Sequence, residues 1–207
     1  MSLKKIAALA VLSLSTVSAH AANFSFAGEF QYDNDVQLFS FTVGSASEVS
    51  LRSWSYAGGV NAAGQTISRG GFDPILTLFD ANGVRIGQQD DGGCSLVAAD
   101  SVTRQCFDTF FTVALAAGSY TASIQQFDNF SRGSLEAGFI YDGVENRQFR
   151  NGFVDIQNDK RNGSWAFDVL NVNEAALPPS DVPEPTSIAL LSAALFGMAA
   201  VRRRRQR

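Results

Sequence analysis

The sequence predicts an all-β protein in which an antiparallel β-sandwich lies between a short helix at each end. Apolar and polar residues alternate in several short runs, and Gly, Asn and Asp residues separate these runs. No window between residues 23 and 175 keeps a helical period. Short alternating strands with turn residues between them are typical of antiparallel sandwiches.

The N-terminal residues 1–21 have the three parts of a secretory signal peptide. Lys4 and Lys5 form a positive start, residues 6–17 form an apolar run, and the small residues at 19–21 form a cleavage site. We expect a helix here and cleavage after Ala21. An uncleaved membrane anchor is the alternative, although the apolar run is short for a bilayer.

Alternation predicts the strands of the central region one by one. A run that is apolar except for Thr77 predicts a buried central strand at 75–79. An Asn-Gly turn at 80–83 then joins it to a return strand at 84–87. In the other strands, the residues expected to face the core are Phe39, Phe41, Val43, Val49, Leu51, Phe107, Thr109, Phe111, Val113, Leu115, Tyr120, Ala122, Ile124, Trp165, Phe167 and Val169.

The remaining central segments are predicted to lack regular strands. Residues 57–71 are rich in Gly, Ala and Ser and predict a long loop, and residues 128–152 are irregular and polar. Residues 175–182 contain Pro178 and Pro179 and predict a stiff spacer. The expected organisation is therefore a domain at 22–174, a linker at 175–182 and a tail at 183–207.

The charge of the domain is more acidic than that of the whole chain. Seven of the 16 basic residues lie in the two terminal segments, against one of the 20 acidic residues. The domain between them carries 9 basic and 19 acidic residues, which gives a net charge of −10. Such a domain should repel nucleic acid and anionic membranes and attract cations.

Two residue types that carry much enzyme chemistry are scarce. The one histidine, His20, lies in the predicted signal peptide, and Lys160 is the one lysine after that peptide. A Ser-His-Asp triad, a Cys-His pair and a histidine-ligated zinc site are therefore excluded from the domain. We expect a protein that is not an enzyme.

The two cysteines, Cys94 and Cys106, both lie in the part expected to be exported. A pair of cysteines in an oxidising compartment is typical of a disulfide. Two free thiols are the alternative.

The C-terminal tail combines three features. Pro183-Glu184-Pro185 is followed by an uncharged segment at 186–201 and by four arginines at 202–205. Sixteen helical residues span about 24 Å, so the segment predicts a minimal transmembrane helix that the arginines hold with its C-terminus in the cytoplasm. A buried helix of a globular domain is the alternative.

This order of features resembles the PEP-CTERM sorting signal of exported bacterial proteins. The resemblance implies that an exosortase recognises and removes the tail. It also implies a precursor anchored in the inner membrane and a mature protein at the cell surface or in the extracellular biofilm matrix.

The strands carry a second resemblance, to bacterial pre-peptidase C-terminal (PPC) domains, over about residues 33–128. It implies a jelly-roll-like β-sandwich. The segment between Cys94 and Cys106 is an insertion relative to that family. The matching positions are Asp35, Phe39, Phe41, Val43, residues 72–80, Gly83, Asp90, Asp91, Gly92, Leu115, Gly118 and Tyr120.

The whole region after the signal peptide also resembles a group of exported PEP-CTERM proteins. The shared segments are residues 54–59 and 165–168. Members of that group have no assigned biochemical activity, so this resemblance implies none.

Aspartates gather around the predicted hairpin and suggest a calcium site. Asp80, Asp90 and Asp91 are the candidate ligands, because calcium prefers oxygen donors on loops. The alternative is that these aspartates only form turns. A carboxylate pair for glycoside hydrolysis is a further alternative. The aspartates in this region are Asp73, Asp80, Asp90, Asp91, Asp100 and Asp108.

A possible glycan platform comes from Arg52, Trp54 and Tyr56, which alternate with the core-facing residues of their strand. Aromatic rings on an outward face can stack on sugars. The alternative is that Trp54 is buried under the loop at 57–71. The sequence thus predicts a structural or adhesive surface protein, with exopolysaccharide as a possible partner, and a carboxylate-only hydrolase as the other class.

Overall fold

The computed structural model describes residues 21–144, 149 and 151–178. These residues contain strands and no helix, and every pairing between the strands is antiparallel, which confirms the all-β prediction. The strands are β1 (Ala22–Glu29), β2 (Val36–Val43), β3 (Ser47–Ser53), β4 (Gly59–Val60), β5 (Thr66–Ile67), β6 (Pro74–Phe79), β7 (Arg85–Gln89), β8 (Phe110–Leu115), β9 (Gly118–Gln126), β10 (Phe153–Val154), β11 (Lys160–Arg161), β12 (Ser164–Val172) and β13 (Glu174–Ala176).

The strands form two principal sheets and two small hairpins. One principal sheet has the order β1-β12-β3-β8, and the other has the order β13-β2-β9-β6-β7. The small sheets are the pairs β4-β5 and β10-β11. The predicted signal peptide, apart from Ala21, and the predicted helix at 186–201 lie outside the described residues.

The two principal sheets pack face to face through aromatic side chains. The ring of Phe39 on β2 lies 4.6 Å from that of Phe167 on β12, measured between centroids. It also lies 5.7 Å from the ring of Trp165 in an edge-on arrangement. Phe39 is fully buried. A β-sandwich is therefore the architecture of the described domain, and its jelly-roll-like topology stays a prediction.

The predicted core faces are confirmed for the long strands. All six residues of β6 are buried, as predicted for a central strand, and β6 lies between β9 and β7 in its sheet. The turn at 80–83 forms as predicted: the N–H of Gly83 donates to the carbonyl of Asp80 at 2.9 Å, and Gly83 has a φ of 74°. Buried residues of the predicted faces are Phe39, Phe41, Val43, Val49, Leu51, Thr109, Leu115, Ala122, Ile124, Trp165, Phe167 and Val169. The other predicted core residues, Phe107, Phe111, Val113 and Tyr120, are only half-buried.

The prediction for β8 was wrong at its start. The strand begins at Phe110 rather than at Phe107. Thr109 is buried, and its hydroxyl donates to the carbonyl of Pro74 at 2.6 Å. The N–H of Thr109 bonds the hydroxyl of Ser53 at 2.8 Å instead of a strand carbonyl. Side-chain hydrogen bonds therefore replace part of the regular ladder there, while the N–H of Ser53 still donates to the carbonyl of Thr109 at 2.9 Å.

Three other features were not expected from the sequence. β1 is a full edge strand that pairs with β12 from Glu29↔Ser164 to Ala22↔Val172. The predicted loop at 57–71 contains the β4–β5 hairpin. Two residues of the predicted linker, Ala175 and Ala176, belong to β13, which pairs with β2.

The disulfide between Cys94 and Cys106 is present, and the two Cα atoms are 5.1 Å apart. It closes a loop that otherwise has no strand. Val97 inside this loop is 5% exposed and so anchors the loop on the domain.

Replacing both cysteines by serine should lower the free energy of unfolding by roughly 3 kcal/mol, since the loop closure no longer restricts the unfolded chain. Urea unfolding monitored by tryptophan fluorescence measures the change in the free energy of unfolding. Ser95→Ala, an exposed change in the same loop, is the matched control and should unfold like the wild type. Identical midpoints for the double serine variant and the wild type would contradict a stabilising bridge.

Candidate functional site

An acidic cluster lies where β6 begins and β7 ends. Asp73 directly precedes β6, and Asp90 and Asp91 directly follow β7. The two strands are antiparallel and Leu76 pairs with Gln89, so these strand ends lie side by side. One carboxylate oxygen from each of the three aspartates lies within 4.8 Å of the others. The hairpin therefore brings three carboxylates to one place.

Two buried oxygens of this cluster lack hydrogen-bond partners within the described part of the chain. Oδ1 of Asp73 and Oδ1 of Asp90 are buried and have no hydrogen-bond partner among the described residues. Burial raises the pKa of Asp73 to about 9, and the charges of Asp91 and Asp90 add to the shift. Burial raises the pKa of Asp90 to about 6, with a further contribution from Asp91. Burial also raises the pKa of Asp91. A bound cation would relieve this repulsion.

The donor set of the cluster suits a hard cation. Calcium takes about six to eight oxygen ligands, and carboxylates supply the charged ones. Asp73, Asp90 and Asp91 offer only oxygen, which disfavours zinc and other metals that prefer nitrogen or sulfur. These are the residues that would hold calcium.

Asp80 is not part of this cluster, which corrects the predicted set of Asp80, Asp90 and Asp91. Its carboxylate accepts hydrogen bonds from the N–H groups of Asn82 and Val84, both at 2.9 Å. Asp80 thus forms the turn at one end of the β6–β7 hairpin, while Asp90 lies at the other end of β7. Asp80 therefore has the role given by the predicted alternative, which is to form the turn.

Asp108 is buried and holds the chain that follows β3. It accepts hydrogen bonds from the hydroxyl of Ser53 at 2.9 Å and from the N–H of Tyr56 at 3.1 Å. The N–H of Ala57 donates to its second oxygen at 2.8 Å. Burial raises the pKa of Asp108, and these hydrogen bonds offset part of the shift. Its role in this structure is to fix a loop.

A buried guanidinium, that of Arg161, links several loops beside the acidic cluster. Its Nε donates to the carboxylate of Asp155 at 2.9 Å. Its Nη2 lies 3.3 Å from the carboxylate of Asp159 and 3.6 Å from that of Asp100, and its Nη1 donates to the carbonyl of Tyr56 at 2.9 Å. The Cζ atom of Arg161 lies 3.5 Å from the centroid of the Tyr56 ring. We call these residues, together with Arg69, the Arg161 network.

Arg69 is the second cation of the Arg161 network. Its Nε lies 2.5 Å from the carboxylate of Asp100, and its guanidinium also contacts Asp159. Burial alone would raise the pKa of Asp100, but hydrogen bonds from Arg69 and from the N–H of Thr103 bring it below its ordinary value. Asp100 therefore stays ionised and ties the disulfide loop to the loop that carries Arg69.

The prediction that Tyr56 belongs to a glycan platform was wrong, because its side chain is only 1% exposed. Its hydroxyl donates to the carboxylate of Asp155 at 3.0 Å, and Arg161 covers its ring. A side chain enclosed in this way offers no face to a sugar.

Arg52 and Trp54 remain half-buried, but the indole is covered. The guanidinium carbon of Arg52 lies 3.8 Å from the centroid of the Trp54 ring. The indole N–H donates to Asp168 at 2.8 Å. A Cβ added at Gly59 would lie 2.7 Å from the ring, so the loop at 57–71 packs directly against it. This arrangement favours the predicted alternative, in which Trp54 lies under that loop.

The comparison with protein families concerns the other end of the chain. Residues 181–205 match the family described as PEP-CTERM protein-sorting motif. The chain carries a PEP-CTERM sorting motif. No curated protein matches the chain significantly. The PEP-CTERM motif marks an exported protein that is sorted to the cell surface and processed by an exosortase.

The PEP-CTERM motif includes Pro183, Glu184 and Pro185 and the predicted span at 186–201, all of which lie outside the described residues. Within the described part of the chain, no helix is long and apolar enough to cross a membrane. The PPC resemblance stays a prediction, with which the all-β fold is compatible.

Sequence reasoning missed two parts of the site. Asp73 was named among the aspartates of this region but not as a ligand, although it lies just before a predicted strand whose hairpin partner runs towards Asp90, and that placement is a usable signal. The Arg161 network had no such signal. Arg161 donates to the carbonyl of Tyr56, 105 residues away, and only the fold brings the two together.

Without a cation, the free energy of unfolding should fall as pH rises from about 5 to about 9. The folded protein keeps Asp73 protonated up to about pH 9, whereas the unfolded chain releases that proton near pH 4, so the folded state binds more protons in between. Urea unfolding in chelator at pH 5, 7 and 9 measures the slope.

Asp73→Asn should flatten this slope between pH 7 and pH 9, because the amide does not titrate, while Asp90, whose pKa is raised to about 6, contributes mainly between pH 5 and pH 7. Glu136→Gln removes an exposed carboxylate next to Leu135, near the Gly83 turn at the far end of the hairpin, and should keep it. An unchanged slope in Asp73→Asn would show that another group is responsible.

Proposed function

We propose that the chain is a non-catalytic protein of the cell surface or the exopolysaccharide matrix, held in the inner membrane as a precursor and released by an exosortase. The observation that carries the proposal is the PEP-CTERM motif at 181–205. The acidic β-sandwich with its disulfide is the part that would be delivered.

The physical properties of the tail support this route. The segment at 186–201 is a marginal membrane span, so it anchors the precursor without making removal difficult. Pro183 and Pro185 cannot continue a helix and keep the backbone extended next to the membrane, where a protease can reach it. The arginines at 202–205 keep the C-terminus on the cytoplasmic side.

Cells with an active exosortase should yield a protein that starts at Ala22 and lacks the C-terminal tail. Cells without it should keep the tail in the membrane fraction. Mass spectrometry of the intact protein from both strains measures both ends at once.

Replacing Pro183 and Pro185 by alanine should block removal of the tail. The same change at Pro178 and Pro179, in the preceding spacer, is the matched control and should leave processing intact. An intact C-terminus on wild-type protein from the exosortase-positive strain would refute the proposal.

The absence of catalysis is supported by the residues after the signal peptide, which include no histidine and a single lysine, Lys160. A hydrolase that uses carboxylates alone, such as a glycosidase, is the alternative. A panel of glycoside and ester substrates separates the two, since turnover that depends on Asp73 or Asp90 would favour the enzyme.

We also propose that the acidic cluster binds calcium as a structural clip. The supporting observation is the buried, unpartnered Oδ1 atoms of Asp73 and Asp90, beside a third carboxylate from Asp91. A cation here would join the start of β6 to the chain after β7.

Calcium at about 100 times its dissociation constant should stabilise the domain by about 2.7 kcal/mol. For a domain of this size, that corresponds to a rise in melting temperature of about 5–10 °C over the value in chelator. Asp90→Asn should abolish the rise and Glu136→Gln should keep it. Equal melting temperatures of the wild type in calcium and in chelator would refute the clip.

A further inference from the structure

A cleft of about 260 Å³ opens beside the Arg161 network. One wall is the turn after β9, with Phe127 and Asp128. The opposite wall is the β10–β11 hairpin, with Phe153 and Ile156. Phe107 also lines the cleft.

Both walls are held by contacts within the domain. The N–H of Phe127 donates to the carbonyl of Asp73 at 2.8 Å and fixes the turn. On the hairpin, the ring of Phe153 stacks on that of Phe149 at 4.4 Å. Arg161, on β11, anchors the other strand of the hairpin through Asp155. The cleft is therefore largely preformed, which lowers the entropic cost of binding a ligand.

The lining combines apolar surfaces with hydrogen-bonding groups. Phe127 is 38% exposed and Ile156 is 85% exposed, although both are apolar. Asp128 and Gln126 add polar groups along the same wall. Aromatic faces next to polar groups suit a sugar ring, which has an apolar face and hydroxyl groups at its edge. The volume is below the range of about 300–1,000 Å³ for drug-sized ligands, so it suits one ring.

The charge of the cleft selects among sugars. Asp73, Asp128 and Asp155 line it, but the raised pKa of Asp73 keeps that group neutral near pH 7 when no cation is bound, and Asp155 is paired with the buried Arg161. Asp128 is therefore the carboxylate of these three that is open to a ligand. Asp128 is an exposed carboxylate close enough to the acidic cluster to raise the pKa of Asp90. A protonated amine would gain a charge-assisted hydrogen bond here, and a uronic acid would be repelled.

We propose that this cleft binds a hexose ring that bears a free amine, such as a deacetylated hexosamine unit of a matrix polysaccharide. The net charge of −10 on the domain favours the same cationic class of glycan. The inference rests on the matrix location of the proposed function for its biological source of ligand. The binding itself is independent of sorting.

Isothermal titration of the full chain in detergent with four probes tests the cleft. The probes are glucosamine tetramer, N-acetylglucosamine tetramer, a glucuronate oligomer and spermidine. We expect the glucosamine tetramer to bind at least tenfold more tightly than the acetylated tetramer, because the free amine is charged and a hydrogen bond to a charged group is stronger than one to a neutral amide. Glucuronate should not bind, and spermidine should bind more weakly because it has no ring.

Two variants locate the binding in the cleft. Phe127→Ala should weaken glucosamine binding about tenfold through loss of stacking. Asp128→Asn should remove the preference for the free amine, and asparagine tolerates the φ of 71° at this position. Asp73 is left unchanged because it belongs to the acidic cluster. Ile86→Ala and Glu136→Gln are the matched controls and should bind like the wild type.

Equal affinity for the two tetramers, no loss of binding in Phe127→Ala, or spermidine binding as tightly as the glucosamine tetramer would each overturn the proposal. Urea unfolding of each variant establishes that it is folded. None of these outcomes bears on exosortase processing, because the protein used still carries its tail.

Discussion

The buried charge of Arg161 is the constraint on which the loop-rich end of the sandwich, with the acidic cluster and the cleft, depends. An isolated guanidinium inside a protein is strongly unfavourable, so its position requires the carboxylates of Asp155, Asp159 and Asp100 around it. These residues belong to the hairpin and to the disulfide loop. Tyr56, stacked under Arg161, adds the long loop after β3. One cation thus fixes three segments that have almost no strand pairing of their own.

The acidic cluster arises from hairpin geometry rather than from a local motif. An antiparallel pair places the residue before its first strand next to the residues after its second strand, and here all of these residues are aspartates. The same crowding raises the pKa of Asp73 and of Asp90. The cleft shares Asp73 with the cluster, so the proposed cation site and the proposed glycan site meet at one side chain.

Alternation and turn chemistry were enough to predict the sandwich, because each long strand buries one face and residues 80–83 suit a tight turn. β1 was not predicted because it is an edge strand next to β12. Its residues are at most half-buried, so the strand does not need the alternation of apolar and polar residues that marks the others. The burial of Tyr56 was also not predicted. Alternation places Tyr56 on the outer face of a continuing strand, but β3 ends before it and a hydrogen bond to Asp108 turns the chain there. Contacts between distant segments, such as Arg161 with Asp100, leave no periodic trace in a single sequence.

The short last strand has a mechanical consequence. β13 meets β2 over only three residue pairs, and both Glu174 and Ala176 are exposed. A force that pulls on the C-terminal tail acts on the domain first through these three residue pairs. Because so few pairs hold it, β13 would separate from β2 before the load reaches β12 and the aromatic interior around Phe39.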